Sequence, residues 1–351
     1  MLLAASSGLG TYTPAVQLYH YLASEGRAVS LEVLERVFRD EKLDQIARSR
    51  RRFQEDFRFA LTARKVLSLH SPADSVSADK SALLMKAWRE AGEKHFVVFS
   101  GFWLPVLKQY REEMMTEIAV DCVQMEVVLS PSWCAHLKDY PYPTRQIWFY
   151  SESQCKIAQT LLPQNETVAC QRERRLVLHG GGWQIGDYSD SVEALVDAGY
   201  ALLVGWPHDR PCVPYPNVRY FRIDPCWETW IAEEGEYPPL EISDDGRFVP
   251  LETSGFHWLL QQIATSSGIV SKPGGATLLD SLSTATPLVH TSPYGETEAR
   301  NAIVWNSLGL GVSYADWQAN GYDDEMLAAA REHLEAVREP LHSYAETIDA
   351  A

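Results

Sequence analysis

The chain has 351 residues, 46% of them apolar, which is long for one hydrophobic core and sufficient for two. Its formal charge of −16 is uneven: residues 1–165 hold 20 basic and 19 acidic side chains, residues 166–351 only 11 and 28. That balance excludes nucleic acid and anionic membrane surfaces as expected partners, since both need a cationic face.

No apolar run is long enough to span a bilayer, so no stable membrane insertion is expected. The first residues lack a basic segment followed by a long apolar stretch, and the six cysteines form no Cys-x-x-Cys pair. Reduced thiols and a cytoplasmic location are the expectation.

Leu2 to Ser6 reads as a first strand, followed by the Gly-containing loop Ser7–Thr13. Thr13 and Pro14 suit a helix start; Val16, Leu18 and Leu22 recur at helical spacing, and Gly26 closes the helix. Val29, Leu31 and Val33 alternate as a second strand. The loop thus lies at a strand's carboxyl end, where open α/β sheets place ligands, which makes Gly8 and Gly10 acceptor-site candidates.

Residues 40–66 read as one long charged helix. Its Arg48, Arg50, Arg51 and Arg52 suit a solvated face, or else a contact for an acidic or phosphorylated acceptor. Val66 to Leu69 is expected as a short strand ending in His70. Then come a helix over 77–91 closed by Gly92, a strand over 95–100, Gly101-Phe-Trp103 with a helix to about Met115, and a strand over 118–125 ending in Glu126. Pro131, Pro141 and Pro143 break the next region into loops before a last strand at 146–150. Strands alternating with helices imply a parallel sheet covered on both faces. His70, Trp103 and Glu126 then share its carboxyl rim as acceptor-site candidates.

Residues 174–178 form a strand, His179-Gly-Gly-Gly-Trp183 a second Gly-rich loop, 189–198 a helix capped by Gly199, and 200–204 another strand. This repeats the opening pattern. The duplication implies two Rossmann-like α/β domains facing across a cleft, one over 1–165 and one over 170–320. Asp244-Asp-Gly246 signals a hairpin inside an insertion at about 225–255, with Trp227 and Trp230 ahead of it. A last helix from 323 to about 338 carries Met326, Leu327, Ala330, Leu334 and Val337 on one face. No metal site is expected: His-x-x-x-His is absent, as are a Walker A motif and a nucleophile elbow.

The most informative stretch runs from Gly268 to Asn301. A short strand leads to Lys272-Pro-Gly-Gly275 and a helix from Ala276 or Thr277. Glycines at 274 and 275 let backbone approach a ligand, and the helix start aims unpaired N–H groups at the turn, a ready anion site. Asp280 lies four residues into the helix, placed to accept hydrogen bonds from ribose hydroxyls. A second strand (287–291) leads to Glu296 and Glu298, two carboxylates able to grip sugar hydroxyls.

These residues resemble the donor-binding half of GT-B glycosyltransferases. The likeness is greatest to the group containing the bacterial lipid II-forming N-acetylglucosaminyltransferase and the UDP-sugar-dependent natural-product enzymes. It is specific over 271–301 and weaker at 7–14 and 179–183. The resemblance implies an N-terminal acceptor domain, a C-terminal nucleotide-sugar domain, and a C-terminal helix (321–351) packing back across both. It assigns the diphosphate to Gly274, Gly275, Ala276 and Thr277, the ribose to Asp280, and donor sugar hydroxyls to Glu298, with Glu296 close enough to share. Gly181, Gly182 and Trp183 fall on the second Gly-rich loop near the phosphates. Thr11 stands where many members carry a first-loop histidine. Threonine is a poor general base, so His70 and Glu126 are the replacement candidates.

The expectation is an inverting, metal-independent glycosyltransferase without a cofactor. It moves a sugar from a nucleotide sugar, which the resemblance implies is UDP-linked, to a soluble small-molecule or peptide acceptor. A nucleotide-sugar epimerase or hydrolase on the same fold, or a non-catalytic nucleotide-sugar-binding protein, are the alternatives.

Overall fold

The structure, a computed structural model, describes residues 1–5, 9–67, 75–164, 172–207, 211–252 and 255–348. Strands β1 (Leu2–Ala4), β2 (Leu31–Val33), β3 (His95–Val98), β4 (Ala119–Gln124) and β5 (Arg145–Trp148) form one parallel sheet in the order β2-β1-β3-β4-β5. Alternate residues feed two cores, as the period-2 pleat requires. Leu3, Phe96, Val98, Val120 and Cys122 pack with Trp88, Trp103 and Tyr110 on one face. Leu2, Ala4, Val97 and Val123 pack with Ala15, Val16 and Leu18 of helix Tyr12–Ser24 on the other.

A small hairpin, β6 (Tyr150–Ser151) and β7 (Lys156–Ile157), follows. The second sheet holds β8 (Glu173–His179), β9 (Ala201–Gly205), β10 (Val218–Ile223), β11 (Leu240–Ser243), β12 (Val249–Pro250), β13 (Ser266–Ser271), β14 (Leu288–His290) and β15 (Gly311–Ser313). Its order is β12-β11-β10-β9-β8-β13-β14-β15. The six strands from β10 to β15 across that order are parallel, while β11 and β12 run antiparallel at the edge. The expected Asp-Asp-Gly hairpin thus extends the sheet. Gly246 at φ +92 makes its turn, and its N–H donates to Ser243 Oγ at 2.8 Å.

Several expectations change. The stretch 40–66 is two helices, Asp40–Glu55 and Phe57–Leu67, parted at Asp56, whose extended backbone (φ −143, ψ 104) ends the first. Its carboxylate then accepts Phe59 N–H at 3.0 Å as the second begins. Val66 and Leu67 are therefore helical, not the start of a strand, and 68–70 lie outside the described residues. Pro131 opens a helix, Pro131–His136, because proline is tolerated in a first turn. The hairpin β6–β7, strand β15 and helix Tyr314–Ala319 have no counterpart in the sequence reading.

The two sheets share an apolar floor. Met125, Val127 and Tyr150 join one buried cluster with Leu278, Leu282 and Trp305, and the Tyr150 and Trp305 rings meet edge-on at 5.4 Å. A strap from the second half clasps the first: Tyr12 Oη donates to Glu236 O (2.6 Å), Leu31 N to Glu234 Oε1 (2.7 Å) and Arg36 Nη2 to Ala232 O (2.7 Å). After helix Asp324–Arg338, which packs on the second sheet, the chain returns to the first. There Tyr344 N donates to Thr160 O (2.8 Å) and Tyr344 Oη to Asp121 Oδ2 (2.6 Å).

Candidate functional site

The carboxyl ends of β8, β13, β14 and β15 align His179, Ser271, His290 and Ser313 in one register row. This is the rim where α/β sheets bind ligands. Beyond Ser271 the chain turns through Lys272-Pro-Gly and enters helix Gly275–Thr284 at Gly275. Neither glycine uses left-handed backbone: Gly274 sits at φ −78, ψ 153 and Gly275 is helical. What they provide is close approach. A Cβ on Gly275 would stand 2.8 Å from Met125 O of the opposite domain.

Lys272 was missed by the sequence reading, although a lone cation beside a Pro-Gly-Gly turn in the acidic half was a usable signal. Its ammonium contacts Glu298 Oε1 at 3.2 Å. It also lies 3.5 Å and 3.8 Å from where Cβ atoms of Gly181 and Gly274 would be, so it joins both Gly-rich loops. Glu298 Oε2 accepts Tyr294 N–H at 2.5 Å, which fixes the carboxylate over the turn. Glu296 is not beside it: it is exposed and pairs with Arg300 at 3.2 Å, one helical turn on.

Asp280 is half-buried on the same helix, and its carboxyl has no hydrogen-bond partner among the described residues. Burial pushes it up to about 7. Thr277 is buried, while Ala276 is half-buried beside the turn. On the second loop, His179 Nδ1 accepts Gly181 N–H at 3.1 Å. Burial, helped by the charge of Lys272, holds the ring down to about 4, so it is neutral with its proton on Nε2. That Nε2 is buried without a partner. Gly181 takes φ +74, and a Cβ on Gly182 would collide with Leu9, so the two Gly-rich loops face each other across the cleft.

From the first domain, Glu126 reaches the turn itself. Its Oε1 accepts Gly275 N–H at 3.2 Å and its Oε2 accepts from Asn301 Nδ2. Burial pushes its carboxyl up to about 7, and Asn301, Gly275 and Lys272 hold it back from rising further. Asn301, fully buried, also donates to Pro273 O (2.8 Å) and accepts from Val127 N–H (3.0 Å), an interdomain role the sequence did not signal.

The other first-domain candidates divide. Thr11 Oγ1 donates to Ala5 O at 2.5 Å and accepts Ala5 N–H at 3.0 Å, so its hydroxyl closes its own loop. Trp103 moves from the rim to the core: it is fully buried against Trp88, and its indole donates to Ala4 O at 2.7 Å. An aromatic ring that large is better placed in the apolar layer behind the sheet than on a wet rim. Gly10 is half-buried, with free space where a Cβ would be. Gly8 and His70 lie outside the described residues.

Helix Asp40–Glu55 leans over the second domain. Arg50, expected on a solvated face, forms a two-pronged pair with Glu228 at 2.9 and 2.6 Å. Gln54 Nε2 donates to Trp183 O at 2.9 Å, and Phe53 packs against the Trp183 ring. Between these groups and 223–230 lies a small hollow of about 20 Å³, room for about one water, that opens to solvent. Four residues lining it carry buried polar atoms without a partner among the described residues: Arg50 Nε, Gln54 Oε1, Trp227 Nε1 and Thr229 Oγ1. Buried polar groups are normally paired, so these are set for a bound molecule or water. Among the described residues, no group of three or more His, Cys, Asp and Glu is placed to hold a metal ion, and no helix is long and apolar enough to cross a membrane.

No protein-family model matches the sequence, and no curated protein sequence does. Solved structures do. The glycosyltransferase SnogD from Streptomyces nogalater is similar over 99% of this chain and 96% of its own, with a TM-score of 0.54 and 16% identity. The Streptomyces sp. SF2575 glycosyltransferase SsfS6, complexed with thymidine diphosphate, is similar over 100% and 99%, at 0.59 and 13% identity. The spinosyn rhamnosyltransferase SpnG, complexed with spinosyn aglycone, is similar over 99% and 98%, at 0.53 and 13% identity. Identities this low speak for the fold and not for the chemistry grafted on it. The chain thus has the two-domain α/β architecture, two Rossmann-like domains across a cleft, of the GT-B glycosyltransferases.

Proposed function

We propose that the protein is an inverting, metal-independent glycosyltransferase that moves a sugar from a nucleoside-diphosphate sugar to a hydroxylated small molecule. The observation that carries this is the convergence on one turn of a helix N-terminus, the Lys272 ammonium and the Glu298 carboxylate, with the unpaired Asp280 carboxyl further along the same helix. The first two suit a diphosphate; the last two suit hydroxyls of a hexose and a ribose. Similarity to glycosyltransferases solved with thymidine diphosphate and with an aglycone supports the same reading. It widens the expected donor from UDP- to include TDP-sugars.

In this mechanism the acceptor hydroxyl attacks the anomeric carbon from the first-domain side, in one displacement that inverts the centre. Glu126, with its carboxyl pushed up to about 7, takes the acceptor's proton, since a base works best near the ambient pH. The nucleoside diphosphate leaves with its developing charge met by Lys272 and the amides of Ala276 and Thr277 in the first helical turn, joined by Gly275 N–H once Glu126 no longer occupies it, since Gly274 N–H is spent on Lys272 O at 2.9 Å. The hollow at Arg50, Gln54, Trp227 and Thr229 adjoins Gly182 and offers donors and acceptors to a polar group of substrate or to a bridging water.

The test is incubation with UDP- and TDP-sugars, with and without a panel of hydroxylated aromatic and polycyclic acceptors, read by mass spectrometry. Glycosylated acceptor with equimolar nucleoside diphosphate is the expected result. Diphosphate release with free sugar alone would favour a hydrolase. Binding without turnover across the panel would favour a nucleotide-sugar-binding protein.

A further inference from the structure

An internal carboxylate stands on the donor turn in this structure. Glu126 Oε1 accepts Gly275 N–H, the first amide of helix Gly275–Thr284, at 3.2 Å. Its second oxygen is held by Asn301, whose side-chain oxygen accepts Val127 N–H at 3.0 Å, so the 125–127 segment is pinned against the turn. The Met125 carbonyl stands 2.8 Å from where a Cβ on Gly275 would be, which leaves no room for a phosphate oxygen in the same place. A helix N-terminus attracts an anion, and here the anion is the protein's own.

We propose that Glu126 is an internal competitor of the donor diphosphate: it plugs the turn of the empty enzyme, and donor entry displaces it as the 125–127 segment lifts from Gly275. This rests on the reading of the 272–275 turn as the donor-phosphate site. A carboxylate and a diphosphate cannot share one amide without like-charge repulsion, and Glu298 adds a further negative charge beside them. Lys272 is the cation facing Glu126, while Tyr150 and Asp280 face the same interior from the hairpin and the helix. The plug also links two events. The carboxylate that takes the acceptor's proton is freed for that task only once the donor has replaced it on Gly275.

Burial has already pushed the Glu126 carboxyl up to about 7. Protonation therefore discharges the plug at mildly acidic pH, and donor affinity rises as pH falls from 8 to 6. The test is calorimetric titration of wild type, Glu126→Gln and Glu126→Ala with TDP and with UDP at both pH values. The melting temperature of each protein is recorded alongside, and Lys272→Ala serves as an independent probe of the phosphate site. The expected result is binding about tenfold tighter or more in the Glu126 variants at pH 8, with the pH dependence flattened. Variants that melt like wild type yet bind no tighter, with the slope intact, overturn the plug alone; loss of binding in Lys272→Ala keeps the site. No nucleotide binding by any folded form removes the site and the plug with it. If Glu126→Ala does not fold, the near-isosteric Glu126→Gln carries the comparison.

Discussion

At the residue scale, Asp121 shows how a charged group is buried when several partners meet it. Asp121 is 2% exposed and accepts from Arg145 Nε (2.8 Å), His95 Nε2 (3.2 Å) and Tyr344 Oη (2.6 Å). Burial alone would raise its carboxyl, but the hydrogen bonds from His95, Arg145 and Tyr344 outweigh it and hold the group down at about 2. A carboxyl with a depressed pKa contributes stability above its unfolded value of 3.8, and that contribution is lost as pH falls toward 2. Asp121→Asn should therefore cost about 2 kcal/mol in urea unfolding at pH 7, since it removes the charge that Tyr344, His95 and the partly exposed Arg145 guanidinium share. The difference from wild type should shrink as pH drops through that window. A pH-independent cost under about 0.5 kcal/mol would mean the cluster is only a surface-strength pair. Glu126 and Asp280 show the opposite bias, both pushed up to about 7: in Asp280 burial acts with no hydrogen bond against it, and in Glu126 burial outweighs the bonds from Asn301 and Gly275.

At the element scale, turns with a local signature were legible and junctions set by tertiary contact were not. Gly92 caps helix Ala78–Ala91 at φ +71, as the sequence predicts, and the Asp244-Asp-Gly246 hairpin pairs β11 with β12 as expected. Helix 40–66 looked continuous because its charge pattern has no breaker; Asp56 interrupts it through a backbone excursion that composition does not encode. The strand expected at 66–69 was a short apolar run, which periodicity alone cannot tell from the end of a helix. Trp103 was read onto the rim from its position after a strand, but the short turn Gly101–Trp103 rotates it back beneath β1. Gly275 is where an element meets the opposite domain most tightly. Gly275→Ala should destabilise the protein by about 1–3 kcal/mol, because backbone and not a flexible side chain stands in the way. A variant with an unchanged melting temperature would show that the two domains are not held in contact at that turn.

At the scale of the whole molecule, the cleft is closed from three sides. The apolar floor joins the sheets, the 232–236 strap clasps β2 and helix Tyr12–Ser24, and the chain's last turn docks on Asp121. The duplicated Gly-loop plan, the charge asymmetry and the Lys-Pro-Gly-Gly turn before a helix were all visible in the sequence. The closure was not, because it depends on pairs such as Arg50 with Glu228, which are 178 residues apart. Arg50→Ala should change stability by only about 1 kcal/mol, as a partly exposed pair does. It should nonetheless speed amide exchange in 223–230, measured by hydrogen–deuterium exchange. Unchanged protection there would show that the pair does not hold that wall of the hollow.

The central claim is that the 272–275 turn, with Lys272, is a nucleoside-diphosphate site. Titrating TDP and UDP into wild type, Lys272→Ala and Gly275→Asp tests it directly. Saturable one-site binding is expected in wild type, weakened at least tenfold in Lys272→Ala and abolished in Gly275→Asp, which sets a carboxylate at the turn in the space against Met125 O and Glu126. Equal affinity in all three folded proteins would contradict it.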